Sequence, residues 1–413
     1  MAKKILTDLD ATNRYITAAA YNKTAITAPA TGATIAIGNL KTFSVNATLT
    51  LTGTDSSTLN VGAGGTLGTA AFTSSTAYAV SKNYIINSAF DIAQRGTSGL
   101  TATGTSGGAT TSYTLDQWIA VASATASPGV TVLTVSRQDS TANMISGYDF
   151  PYYANVVTSL PVSGTVTGSS YFSQRIEDVR TLAGQQVTLS FWAKISSGTN
   201  SNITPVIVQN FGTGGSTAVT NTGSAISLTT TWTRFSYTVT LGSMSGKTIG
   251  TNSYLDVRPL QLAGANYTAL TISIAGVKLE ESTAATEFGR MSESLASELI
   301  ACQRYYWRFG GSGTATQVSV ANGAYYNTTT CYSSIRHPVS MRTSPSFSVN
   351  DTAALTAYAG GSSRASTNIT GGTVVSREAT EISVTTSAAT SGHAAFIRFP
   401  ANSTNYMEFS AEI

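Results

Sequence analysis

Hydrophobic and polar positions alternate cleanly over Val187–Lys194. Val187, Leu189, Phe191 and Ala193 share one parity, and Thr188, Ser190, Trp192 and Lys194 share the other. That period of two predicts a strand with one face in a core. Similar runs predict strands near Tyr84–Phe90, Gln117–Ala122, Thr131–Arg137, Phe172–Val179, Thr204–Val208, Thr233–Leu241, Tyr254–Arg258 and Leu270–Leu279, with Gly- and Ser-rich turns between them. Many short strands at such spacing predict one β-sandwich over 83–281.

The period changes over 282–303. Phe288, Met291, Leu295, Leu299 and Cys302 recur at spacings of three and four, which predicts an amphipathic helix with a near-heptad phase. Such a short helix needs a partner, either a threefold neck or the flank of its own sandwich. Strand patterning resumes over 304–413, with predicted strands at Arg304–Phe309, Gln317–Val320, Thr380–Val384, Ala394–Phe399 and Asn405–Ile413. Residues 1–82 differ: short alternating pieces such as Phe43–Leu51 and a Gly-rich stretch, Val61–Phe72, carry few bulky apolar residues. A segment this thin buries little core alone, so it reads as a shaft shared between several copies or as a linker.

Composition sharpens the class. Only 10% of the 413 residues are charged, and 37 Gly and 19 Tyr accompany abundant Thr and Ser; an average domain is about 25% charged. Tyr and Thr favour strands, so the chain reads as all-β with a neutral, hydroxyl-rich surface. The net charge of +3 comes without a Lys/Arg block, which argues against a nucleic-acid partner. No apolar run reaches a membrane span and no signal-peptide core follows Lys4, so the expectation is a soluble chain made in a cytoplasm, with no membrane insertion. Cys302 and Cys331 read as buried thiols; neither has metal-ligand spacing to His337 or His393, and no metal or other cofactor is expected.

Catalytic patterns are thin. Glycoside cleavage needs two carboxylates within ~9.5 Å, yet Glu177 and Asp178 diverge as strand neighbours, and Glu378 and Glu381 meet only on a helix. Gly104–Gly108 spells G-x-S-x-G in a Gly/Thr loop rather than at a strand–turn–helix elbow. The expectation is therefore a chain that is not an enzyme.

The stretch Ser173–Lys194, SQRIEDVRTLAGQQVTLSFWAK, resembles the sugar-binding-type β-sandwich, a jelly roll, of many bacteriophage tail fibres. NYIINSAFDIAQRGTS at Asn83–Ser98, TTWTRFSYTVTL at Thr230–Leu241 and LEESTAATEFGRMSESLASELIACQRYYWRF at Leu279–Phe309 fit the same family in order and spacing. The resemblance covers roughly 83–309. It implies a homotrimeric receptor-binding protein in the virion, assembled in the host cytoplasm, with affinity for bacterial surface glycans. Residues 1–82 would attach it to other tail proteins, and 304–413 would form the receptor-binding tip. A head fibre or decoration protein and a capsule depolymerase are the alternatives.

A sugar site needs flat aromatic faces with amide or guanidinium groups beside them. Trp192, Trp232 and Arg234 are opposite in parity to their core-facing neighbours, so they line one non-core surface with Gln174 if their strands share a sheet. An inter-subunit contact and a loop-covered structural role fit the same residues. Trp118 reads as a core anchor, Arg175 and Glu177 as an ion pair on one strand face, and Arg95 as tied to the segment that leads into the sandwich. The terminal domain offers Tyr325, Tyr326, Asn327, Tyr332, Arg336, His337, Tyr358 and Arg364 as its receptor surface.

Overall fold

A computed structural model describes residues 82–413 apart from 105–107, 125–130, 160–169, 199–200, 263–269, 311–312 and 314. The shaft-like expectation for 1–82 lies almost wholly outside these residues. Strands run at Leu100–Gly104 (β1), Gly108–Tyr113 (β2), Trp118–Ala124 (β3), Thr131–Asp139 (β4), Tyr152–Ser159 (β5), Ser170–Glu177 (β6), Gln186–Ser197 (β7), Asn202–Asn210 (β8), Val219–Thr222 (β9), Ile226–Ser227 (β10), Thr233–Thr240 (β11), Tyr254–Leu262 (β12) and Leu270–Glu281 (β13). One helix follows at Leu295–Gln303 (α1). Then come Tyr306–Gly310 (β14), Val318–Tyr325 (β15), Thr330–Arg336 (β16), Ser346–Val349 (β17), Thr356–Ala359 (β18), Ser362–Val375 (β19), Ala379–Thr386 (β20), Ala394–Phe399 (β21) and Tyr406–Ser410 (β22). The fold is all-β.

The first thirteen strands form two antiparallel sheets. One runs β1-β4-β5-β13-β7-β11; the other runs β10-β8-β12-β6-β3-β2, with β9 on the flank of β8. Their facing sides carry the predicted alternation, with Val187, Leu189 and Phe191 of β7 meeting Phe172 of β6 and Leu255 and Val257 of β12 in one core. Trp118 anchors it, stacked on Phe172 at 4.7 Å, and its indole N–H reaches the Asn87 carbonyl at 3.0 Å. On β13 a bulge between Ala275 and Lys278 switches parity, so Ile274 and Val277 both face the core. Gly276 makes that switch at φ +56°, where a Cβ would strike the Phe150 and Trp192 rings.

Residues 84–90 are not the predicted strand. They form a string of turns, with Asn87 and Phe90 at positive φ. Side chains replace a sheet partner here. Asn83 accepts from the Ile85 and Leu279 N–H groups, and the Gln174 amide holds both the N–H and the carbonyl of Ile86, at 2.8 and 2.7 Å. The local pattern was strand-like because Ile85 and Phe90 do enter the core.

The predicted helix is shorter than its pattern. Residues 282–294 are non-helical, and α1 starts behind the Ser294 cap. Glu298 and Cys302 face inward, whereas Leu295 and Ile300 point outward at 51% and 53% exposure. The Glu298 carboxylate turns α1 inward by accepting from the backbone N–H groups of Asn87 and Ser292. Upstream, the buried Lys278–Glu280 pair grips Thr286 and the Glu287 carbonyl. These polar anchors, rather than an apolar stripe, set the path of 282–303.

Strands β15-β16-β20-β19-β18-β21 close into a barrel, which leaves no free sheet edge. Inward residues such as Cys331, Ile335, Ile382, Val384 and Ile397 alternate with outward polar ones. The small sheet β14-β22-β17 packs its Trp307, Phe347 and Phe409 rings into the same core. Both cysteines are buried free thiols.

Replacing Gln174 by Ala leaves the Ile86 N–H and carbonyl unpaired in a partly buried site, each at a cost of about 1 kcal/mol. A lower urea midpoint with an unchanged slope is expected; an unchanged midpoint would show that the lead-in segment is held by other contacts.

Candidate functional site

The sandwich does not assemble the sugar platform built on Trp192. Its ring lies on the outer side of β7 as expected, but it is only 5% exposed. Tyr148, Phe150 and Phe288 cover it at ring distances of 4.5, 5.5 and 6.3 Å. The Arg234 guanidinium lies 4.7 Å over the ring and donates to Ser190 Oγ and the Thr286 carbonyl. Trp232 is half-buried, edge-on to Tyr153 at 5.5 Å. Gln174 is in the other sheet and faces the core. The loop 140–151 and the segment after β13 therefore use these aromatics as a second, smaller apolar layer, and the loop-covered structural reading applies.

A polar and aromatic face does exist on the opposite sheet. Tyr171, Ser173, Arg175 and Glu177 alternate with the core residues of β6, and Tyr254, Asp256 and Arg258 do the same on β12. Asp256 is paired in register with Arg175. Arg258 lies 3.7 Å over the Tyr171 ring and pairs with Asp256 at 2.8 Å; Arg175 lies 4.5 Å over Tyr254. Arg175 does not pair with Glu177 as expected. It donates to the Ile413 carbonyl at 2.6 Å, while Glu177 pairs with Arg304 at 2.7 Å. Sheet parity sets this outcome: the two residues share a face, and the barrel's terminal residues cover that end of it.

The sandwich and the barrel meet through a polar clasp at the same end. Arg342 positions the last residues of the chain by donating to the Ala411 and Glu412 carbonyls, both at 2.7 Å, and reaches Asn252 of the sandwich at 3.4 Å. Tyr113 donates to Ile413 at 2.6 Å. Arg95 reaches Glu412 at 2.8 Å and lies 3.4 Å over Tyr306, so it ties the lead-in segment to β14 and to the residues after β22. Gln94 bridges Asp116 and the Tyr306 carbonyl at 2.6 and 2.9 Å. A small polar recess of about 180 Å³ opens beside this clasp, lined by Glu177, Asp178, Asn252, Ser253, Arg342 and Ile413.

The terminal barrel presents a different surface. Tyr326, Tyr332, Tyr358 and Phe396 are exposed, at 75%, 38%, 39% and 50%. The Tyr326 and Tyr332 rings meet edge-on at 5.9 Å. Tyr332 pairs in register with Ala324 and Ser383, Ala324 with Ala394, and Phe396 with Tyr358. The four rings thus spread over the outer wall of β16, β15, β21 and β18 and the turn after β15. At the usual strand spacing that wall is ~14 Å across. Asn327 shapes the turn by accepting from the Thr329 and Thr330 N–H groups, at 2.8 and 2.7 Å. Tyr325 does not belong to this surface: it points into the barrel, where its hydroxyl meets Thr386. His337 is also buried, held by the Arg377 carbonyl and Thr380, each at 3.0 Å. Phe396 was missed in the sequence, although its opposite parity to Ile397 and Phe399 marked it as outward.

Three buried carboxylates are committed to structure. Asp91 holds Arg290, Asp116 holds Gln94, and Glu298 holds two backbone N–H groups. Gly104 closes β1 and Gly108 opens β2, strands of different sheets; the Ser106 between them lies outside the described residues. Among the described residues no three His, Cys, Asp or Glu side chains gather as a metal-ligand set, and no helix is long and apolar enough to cross a membrane.

No protein-family model matches the chain, and no curated protein matches it in sequence. Solved structures similar to part of it include carbohydrate-binding β-sandwich modules, a phage tailspike domain, an α-L-arabinofuranosidase and a cyclase. The enzymatically active domain of bacteriophage CBA120 tailspike protein 4 is 19% identical over 36% of this chain, at a TM-score of 0.24; the match spans only 18% of that protein's chain. The CBM22-1 xylan-binding domain of Paenibacillus barcinonensis Xyn10C is 13% identical over 47% of this chain and 99% of its own, at 0.24. The N-terminal cellulose-binding domain of Cellulomonas fimi β-1,4-glucanase C is 17% identical over 48% and 95%, at 0.23. Likeness at this level carries no argument about what this chain binds.

Burial pushes the Glu412 carboxyl from 4.5 up to about 7 against the pull of Arg95, with the charge of Asp116 adding to the rise. The folded chain therefore binds an extra proton between pH 4.5 and 7 that the unfolded chain releases. Stability from this group is greatest below that window and falls through it, by up to ~3 kcal/mol. Thermal melts should show Glu412→Gln gaining on the wild type from pH 5 to pH 8. A variant that loses ground over that range would contradict the assignment.

Proposed function

We propose that this chain is the subunit of a homotrimeric bacteriophage tail fibre, and that it attaches the virion to host-surface glycans without cleaving them. The observation that carries this reading is the exposed aromatic wall of the barrel. Four rings on a closed, edge-free scaffold cost free energy in water unless a ligand covers them. Aromatic faces suit the C–H faces of pyranose rings, and neighbouring Asn, Ser and Thr suit their hydroxyls. Among the described residues the buried carboxylates Asp91, Asp116 and Glu298 hold the protein's own cations and backbone, which favours adhesion over hydrolysis.

The resemblance of 83–309 to phage-fibre sandwiches supplies the virion setting. Residues 1–82 would dock to other tail proteins. The outward face of α1, with Leu295 and Ile300 in solvent, would meet a second copy around a threefold axis. A single site at ~1 mM corresponds to about −4 kcal/mol, and three sites raise avidity by 10² or more without new contacts. The alternatives are a head fibre or decoration protein of the virion and a capsule depolymerase.

Fluorescently labelled full-length chain applied to host cells tests the reading. Cutting at residue 309 is a poor test, because it removes β22, the partner of β14, and the Glu412 partner of Arg95. The variant Tyr326→Ala/Tyr332→Ala/Phe396→Ala, which leaves the barrel core untouched, should lose at least tenfold in cell binding with its melting temperature unchanged. Retained binding would overturn the barrel wall as the receptor surface. Release of reducing sugar from host polysaccharide would replace adhesion with depolymerisation. Native mass spectrometry should give three times the chain mass at micromolar concentration, and a monomer would remove the trimer.

A further inference from the structure

The barrel wall is not chemically uniform. At its β18–β21 side, Phe396 and Tyr358 are register partners with both rings exposed. Arg398 sits two residues beyond Phe396 on the same face of β21, opposite Thr356 of β18 and Ser319 of β15. Its guanidinium centre lies 5.2 Å from the Phe396 ring and 5.5 Å from the Tyr358 ring. One of its N–H groups donates to Gln317 Oε1 at 3.0 Å. None of the ion pairs among the described residues includes Arg398, Arg336 or Arg364 of the barrel; of these three, Arg398 is the one with two exposed rings beside it. Asn322 stands next to Phe396 on β15.

We infer that the Tyr358–Phe396–Arg398 face takes a carboxylate-bearing saccharide, such as a uronic or sialic acid unit of an acidic surface polymer. This rests on the glycan-binding reading above and narrows it to a charge class. A guanidinium offers five N–H donors in a planar fork. With one donor on Gln317, others remain to meet a carboxylate bidentately. The two rings beside it take the apolar face of the same sugar, and Asn322, Ser319 and Thr356 are placed for its hydroxyls. Tyr326 and Tyr332, farther along the wall, take neighbouring units of the polymer by ring contact alone. Charge-assisted pairing at one unit and stacking at the others gives specificity for acidic polymers without a deep pocket.

The test uses the full-length chain on immobilised polygalacturonate, hyaluronan and polysialic acid. The same polymers with carboxyls reduced to alcohols, and dextran, are run beside them at low and at moderate salt. At least one acidic polymer should be retained. Its apparent affinity should fall tenfold or more on carboxyl reduction and with Arg398→Gln, and less with Arg398→Lys, which keeps the charge and loses the fork. Arg180→Gln, which removes a charge from the sandwich surface, should change it less than twofold. Equal binding to a reduced polymer or to dextran, or undiminished binding by Arg398→Gln, overturns the acidic assignment and leaves glycan adhesion standing. Retention of no polymer, acidic or neutral, removes both. If Arg398→Gln misfolds, the comparison of native with reduced polymer on the wild-type chain still decides the matter.

Discussion

The polar clasp between sandwich and barrel fixes where everything else points. Gln94 joins Asp116 to the β14 backbone, Arg95 joins Glu412, and Tyr113 and Arg175 hold the Ile413 carbonyl. These are charge-assisted contacts in a largely buried setting, where each is stronger than at a wet surface and each unpaired group is costly. The junction therefore has one low-energy arrangement rather than a hinge. Arg308 adds to it by donating to the Gln94 and Arg95 carbonyls at 3.3 and 3.0 Å. The orientation of the barrel wall relative to the sandwich therefore follows from β14 and β22.

Two aromatic populations follow from this arrangement. Rings near the junction and on the sandwich flank are covered: Trp192 by a loop, Tyr306 by Arg95, Tyr171 by Arg258. Rings on the barrel wall have no loop over them, because the closed barrel joins its strands at the ends and leaves the wall between them open. The same residue type thus stabilises the sandwich and stays available to a ligand on the barrel.

Much of the fold was legible from alternation. β7 and β11 fall where their apolar positions share one parity, β12 and β13 do so on either side of a bulge, and Trp118 anchors the core as its place after Leu115 suggested. The helix was misread because periodicity counts apolar residues and not the Glu298 carboxylate that turns α1 inward. The lead-in segment was misread because Asn83, Asn87 and Gln174 bond its backbone from outside any sheet, which no local pattern records. At the site, parity correctly put Trp192 on a non-core face but could not reveal that Tyr148 and Phe150 lie over it. Tyr325 and Tyr326 look alike as neighbours in sequence, and only the barrel's closure decides that one points in and the other out. Phe396 and Arg398 were passed over, although their parity opposite to Ile397 and Phe399 marks both as outward.

Hydroxyl-radical footprinting of the full-length chain, free and bound to host surface polysaccharide, tests the central claim most directly. The account predicts protection at Tyr326, Tyr332, Tyr358 and Phe396, with Tyr171, Tyr254 and Trp192 unchanged. Protection confined to Tyr171 and Tyr254 would move the binding surface to the sandwich and contradict the account.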